Sequence, residues 1–248
     1  MYHGSFYNFY HLLRQTLARY QILEFVFKLA SWRFRVKILI MKRLYLASSI
    51  NKTAGHIAKD IGKKKLKLAF ITTASEVEKG DKTWLKNDRK GFEEAGLDVF
   101  DYTLTGKTRK NLEQDLEKAD VVHVCGGNTF YLLQKIMESG FDKWIREALS
   151  KGKIYIGSSA GSQVAGPDIE ILRKPETKPY EKKLKTFEAI GLIDFIIFPH
   201  WGSVIFKDLY LGHRLKFSYK PKNKIILLND WQYVKVEGDK YRIIDIRD

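Results

Sequence analysis

From residue 41 onward the chain switches repeatedly between two hydrophobic periods. Runs at 41–47, 66–72, 98–104, 120–125, 153–156 and 194–198 are rich in β-branched and aromatic residues and read as strands. Between them lie segments compatible with helices: a polar stretch through Ile61, then 81–95 with Gly96 as its stop, a turn or two around 112–118, then 130–138 and 141–150. The C-terminal part changes style. Residues 224–228 form one apolar strand, and 231–236 and 241–246 flank a Gly-Asp turn as a hairpin. Near-continuous apolar strands alternating with helices predict an α/β fold: a mostly parallel sheet covered on both faces, with the hairpin adding antiparallel edge strands.

Residues 1–40 differ. Phe9, Leu13, Leu17, Tyr20, Leu23, Phe27 and Ala30 recur at helical spacing, and six basic residues stand against one acid, Glu24. The segment reads as a basic, aromatic extension of helical type, set apart from a domain at 41–248. It carries no secretory-signal pattern and no apolar run long enough to span a bilayer. Packing on the domain, or a start codon placed upstream of the true one at Met41, is favoured over binding to a membrane surface.

Composition narrows the classes. The 248 residues are 44% hydrophobic and 29% charged, as in a soluble globular chain. The single cysteine, Cys125, excludes an internal disulfide framework and a Cys-based zinc site, and suggests a reducing, cytoplasmic setting. The net charge of +15 raises nucleic acid as a partner, but the lysines are scattered and no nucleic-acid-binding signature accompanies them. A solvated basic surface accounts for them, so neither nucleic acid nor membrane is expected as a partner.

In such sheets functional groups collect at the carboxyl ends of the strands. Those ends read Thr72-Thr-Ala-Ser75, Gly126-Gly-Asn128, Gly157-Ser-Ser-Ala-Gly161 and Pro199-His-Trp201. The third matches G-x-S-x-G. A strand that turns sharply into a helix needs small residues two before and two after the turn, which selects Ser159. A plain Gly-Ser turn satisfies the same pattern. A reactive serine needs a base. Of six histidines, His3 and His11 lie in the extension, His56 in a polar stretch and His213 on an amphipathic one. His123 sits inside a strand, where packing is the usual role, whereas His200 ends an apolar strand behind Pro199. The Ala160 N–H, just after the serine, and the Gly126-Gly127 turn can both donate to a developing oxyanion. The same turn also reads as a helix cap through Asn128 or Thr129.

The blocks CGGNTFYLLQ (125–134), IGSSAGSQVAGPDIE (156–170) and FPHW (198–201) together resemble the peptidase E / cyanophycinase family of serine peptidases, over roughly residues 41–248. The resemblance implies a three-layer, flavodoxin-like fold of the class-I glutamine-amidotransferase type and a Ser-His-acid triad. It also implies no metal or organic cofactor and hydrolysis of short peptides, Asp-Xaa dipeptides foremost. By matching motifs, Ser159 is the nucleophile, His200 the base, and Gly127 and Ala160 the oxyanion hole. The family's acid lies between the elbow helix and the histidine strand; there Glu176 is the choice, with Glu170 and Asp168 as alternatives. An acidic substrate side chain calls for a cation, and Arg173, Lys174, Lys207 and Arg214 are candidates that nothing in the sequence ranks. The enzyme is expected as a monomer or homodimer. A catalytically silent protein holding an anion on the same glycine and elbow amides is the competing reading.

Overall fold

A computed structural model of the chain describes residues 42–62, 65–174, 177–220 and 224–248. The N-terminal extension and Glu176 lie outside the described residues. The main sheet has seven strands: β1 (Arg43–Ala47), β2 (Lys67–Ile71), β3 (Asp98–Tyr102), β4 (Val121–Val124), β5 (Ile154–Ser158), β8 (Gln232–Glu237) and β9 (Lys240–Asp245). Their order is β3-β2-β4-β5-β1-β8-β9. The first five are parallel; β8 runs antiparallel to β1 and β9 to β8, so the hairpin extends one edge as its sequence predicts. The fold is the three-layer, flavodoxin-like α/β fold.

The two central strands β4 and β5 are buried along their whole length, as expected for strands covered on both faces. Helix α1 (Ile50–Ile61) buries Ile50, Thr53, Ala54, Ile57 and Ile61, the three-and-four spacing of one helical face, and stops at Gly62 with φ 76°. It packs against α2 (Thr83–Glu94). Phe92 of α2 meets Phe70 of β2 and His123 of β4 edge-on, which seats α2 on the sheet. After the short α3 (Arg109–Asp115), helices α4 (Thr129–Ser139) and α5 (Phe141–Ser150) are joined through Gly140 at φ 73°. The Asn128 side chain caps α4, accepting from the Tyr131 N–H at 2.9 Å.

One expectation is corrected. The sequence pattern places the histidine strand with the others in the main sheet. Instead β6 (Ile196–Phe198) pairs in parallel with β7 (Ile225–Leu227) as a separate two-stranded sheet. The edges of the main sheet are taken by β3 and β9, and between β6 and β7 lies a helical run, residues 204–218. The register Phe198↔Leu227 sets the two strand ends side by side, so the residues after each emerge together.

Candidate active site

Strand β5 stays buried through Ser158 and reverses at Ser159 into α6 (Ala160–Val164). Ser159 has φ 47° and ψ −108°, a conformation costly for a residue with a Cβ. Its N–H donates to the Ala47 carbonyl at 3.1 Å and its carbonyl accepts from the Gln163 N–H at 3.0 Å, so neighbours on both sides hold the turn. No space is left for side chains around it. A Cβ on Gly157 would stand 2.7 Å from the Gly161 backbone, and one on Gly161 would stand 2.0 Å from the Val124 carbonyl oxygen. Those contacts are the physical content of the G-x-S-x-G spacing.

His200 follows β6, also at positive φ (62°), with its N–H donated to the Ser48 hydroxyl at 2.7 Å. Phe206 stacks on the imidazole at 4.6 Å between ring centres. His200 Nε2 lies 3.1 Å from Ser159 Oγ, and Nδ1 lies 2.6 Å from Asp230 Oδ1. With Nδ1–H donating to the carboxylate, Nε2 of the neutral ring accepts from the serine hydroxyl. The Ser48 hydroxyl donates to the same Asp230 oxygen at 2.7 Å. Burial pushes the Asp230 carboxyl up, but the hydrogen bonds from His200 and Ser48 outweigh it and hold the carboxyl below its usual range. A serine hydroxyl on an imidazole that is oriented by a carboxylate is an arrangement able to take up and return one proton.

The carboxylate on the imidazole is Asp230, which is not among the expected acids; the expected one, Glu176, lies outside the described residues. Of the alternatives, Asp168 pairs across a β-bridge with Glu188 and accepts the Glu170 N–H at 3.1 Å, and Glu170 is exposed with no hydrogen bond to His200. Sequence reasoning misses Asp230 because it looks between serine and histidine. A signal exists, since Asn229-Asp230 follows the apolar run 224–228 as His200 follows its own. Ser48, at the end of β1, is missed too.

The remaining predicted residues fall as follows. Gly127 has φ 128°, and a Cβ there would stand 2.3 Å from the Ala74 carbonyl oxygen. A Cβ on Gly126 would stand 3.1 Å from that of Ser159, so this turn presses on the serine as closely as glycine permits. Ala160 opens α6, directly behind Ser159. His123 is a packed histidine as expected. It is fully buried, stacked on Phe70 at 4.8 Å, with Nε2 3.2 Å from Ser158 Oγ, and burial lowers it to about 3. Cys125 is buried against the Gly126 carbonyl, and burial pushes its thiol up.

Ser159 and His200 open on a cleft of about 570 Å³, floored by Ser158, Gly126 and Gly127. Of the four cation candidates, Lys174 and Arg214 line it. Arg214 is 9% exposed, lies over the rings of Tyr210 and Phe198, and donates Nη1–H to the Tyr210 hydroxyl at 2.9 Å. Its Nε–H has no partner and no carboxylate lies within ion-pair distance among the described residues. The buried Gln163 side chain also lines the cleft; it accepts from Thr129 and leaves its amide nitrogen unpaired. Among the described residues no cluster of three His, Cys, Asp or Glu is fit to hold a metal, and no helix is long and apolar enough to cross a membrane.

A strained serine at the carboxyl end of a parallel strand, met by a histidine and a carboxylate that follow the two strands of the smaller sheet, is an arrangement suited to hydrolysis. The family model for peptidase family S51 matches residues 44–244, and the chain belongs to that family, which includes peptidase E. It is 30% identical over 199 residues to an uncharacterised peptidase of Listeria monocytogenes, covering 80% of this chain and 96% of the relative. A Drosophila melanogaster protein named "Probable alpha-aspartyl dipeptidase" is 40% identical over 145 residues, 54% of this chain and 56% of its own. A solved Listeria monocytogenes structure carrying the peptidase E name superposes with a TM-score of 0.75 at 28% identity, covering 83% of this chain and 99% of that one. The chain is therefore a peptidase.

Proposed function

We propose that this peptidase is a serine-type dipeptidase that removes an N-terminal aspartate from Asp-Xaa peptides. The observation that carries the reading is the unbroken chain from Ser159 Oγ through His200 to Asp230, at 3.1 and 2.6 Å. Ser159 Oγ attacks the scissile carbonyl while His200 Nε2 takes its proton. Asp230 holds the imidazole in the required tautomer and stabilises the imidazolium. The N–H groups of Gly127 and Ala160 receive the negative charge that develops on the carbonyl oxygen. His200 then gives the proton to the leaving amine, and the C–N bond breaks to leave an acyl-Ser159. Water, deprotonated by His200, attacks that ester and restores the free hydroxyl.

Arg214 supports the preference for aspartate. An arginine that is mostly buried, lines the cleft and lacks a carboxylate is suited to receive one from the substrate. The aspartyl name of the Drosophila relative points the same way. One buried cysteine agrees with a reducing, cytoplasmic setting. The test is hydrolysis of Asp-Leu, Glu-Leu, Asn-Leu and Ala-Leu by the wild type and by Ser159→Ala and Arg214→Met. The expected result is Asp-Leu turnover that vanishes with Ser159 and falls at least tenfold with Arg214→Met. Equal turnover of Ala-Leu and Asp-Leu by the wild type would refute the specificity. Turnover that survives Ser159→Ala would refute the mechanism.

A further inference from the structure

The cleft contains a carboxylate that the triad does not use. Asp88 sits on α2, one helical turn from Phe92, and these two are the buried residues of that helix. Asp88 is 6% exposed and lines the same cleft as Ser158, Ser159 and His200. One of its oxygens accepts the Asn51 N–H of α1 at 3.0 Å. Its other oxygen accepts no hydrogen bond from a described residue, and no lysine, arginine or histidine among them lies within ion-pair distance.

That is an unusual state for a buried carboxylate. Charged side chains removed from water are ordinarily paired. Burial without a cation holds the Asp88 carboxyl up at about 7. The capping of α1 does not explain the charge, because a neutral Asn or Ser accepts the same N–H at less cost. Nor does the rim explain it. Glu78 and Lys79, also on the cleft, are exposed neighbours of opposite charge. The cations Arg214 and Lys174 come from other elements of the cleft wall. The cavity thus offers a cation without a carboxylate and a carboxylate without a cation. A ligand carrying both an ammonium and a carboxylate group satisfies the two.

Resting on the peptidase reading above, we propose that Asp88 is the receptor for the free amino terminus of the substrate, and that it makes the enzyme an exopeptidase. The α-ammonium of the first residue is the cation that the open Asp88 oxygen lacks, and a blocked or absent amino group leaves that carboxylate buried and unpaired. The requirement for a free amino terminus then comes from the protein's own charge rather than from the size of the cleft.

The test compares Asp-Leu with succinyl-Leu, which keeps the side-chain carboxylate and scissile bond and lacks only the amino group. For the wild type, kcat/KM is expected to favour Asp-Leu on the order of 100-fold, as for a hydrogen bond to a charged group. In Asp88→Asn, which retains an oxygen for the Asn51 N–H, that ratio collapses to a few-fold through the loss on Asp-Leu. Near-ultraviolet circular dichroism checks that the variant is folded, and Asp88→Ser serves if it is not. A variant that loses the same factor on both substrates, or keeps the 100-fold ratio, overturns the proposal. If the wild type cleaves neither compound, the Asp-Xaa dipeptidase reading fails, and the amino-terminal site is judged by calorimetry on Ser159→Ala. Tighter binding of L-aspartate than of succinate, lost on adding Asp88→Asn, supports the site. Equal binding of the two, or binding of neither, overturns it.

Discussion

Replacing Asp88 by Asn removes a buried charge while keeping an acceptor for the Asn51 N–H, so its effect on stability can be worked out from the site. The carboxyl is raised from an ordinary 3.8 to about 7, with burial as the main cause and the Asn51 hydrogen bond opposing it. A carboxyl whose value is raised on folding favours the native state in its protonated form. Its contribution is fully present below about pH 4 and is lost as pH climbs through 7. A rise of that size corresponds to about 4 kcal/mol, and water entering the cleft reduces this, so about 2–4 kcal/mol is expected. The assay is urea unfolding of wild type and Asp88→Asn at pH 4, 6 and 8. Subtracting the two curves cancels every other titrating group. The variant should gain about 2–4 kcal/mol relative to wild type between pH 4 and pH 8, most of it between pH 5 and 7. A difference that stays flat across this range would refute the claim that Asp88 is buried without a cation.

Other outcomes follow from the triad and its turn. Asp230→Asn, which presents the imidazole with the wrong hydrogen-bonding group, should lower kcat on Asp-Leu by about 10³–10⁴-fold, and Glu176→Gln should cost far less. Ser48→Ala removes the hydroxyl that joins the His200 N–H to Asp230 and should lower kcat about tenfold with little change in KM, read in the same steady-state assay. Ser159→Gly should be inactive yet melt higher than wild type, because glycine adopts φ 47° without the 1–3 kcal/mol that a side chain costs there; calorimetry decides.

Much of this molecule is legible in the chain. The alternation of strand and helix periods marks all seven strands of the main sheet, and the Gly-Asp turn marks the hairpin. The elbow is legible because sterics leave so little choice. A Cβ at 157 or 161 would meet backbone atoms at 2.7 and 2.0 Å, so the pattern can be reasoned back from the geometry. What resists is tertiary. Asp230 reaches His200 because β6 and β7 pair in parallel outside the main sheet, and no local pattern announces that pairing. The competing reading, a silent anion-binding protein, draws on the missing acid, and the carboxylate at 2.6 Å from His200 removes that ground. Asp88 is legible in a weaker sense. It falls midway between Trp84 and Phe92 at four-residue spacing, so a charge stands on what is otherwise the apolar stripe of α2. Only the burial shows that nothing neutralises it.

The central claim is that Ser159 is a nucleophile activated by His200 and oriented through Asp230. Mass spectrometry of the protein after treatment with a fluorophosphonate tests this most directly. The account predicts one adduct on the wild type, mapped to the peptide that contains Ser159, absent in His200→Ala and formed much more slowly in Asp230→Asn. An unlabelled wild type, or equal labelling of wild type and His200→Ala, would contradict it.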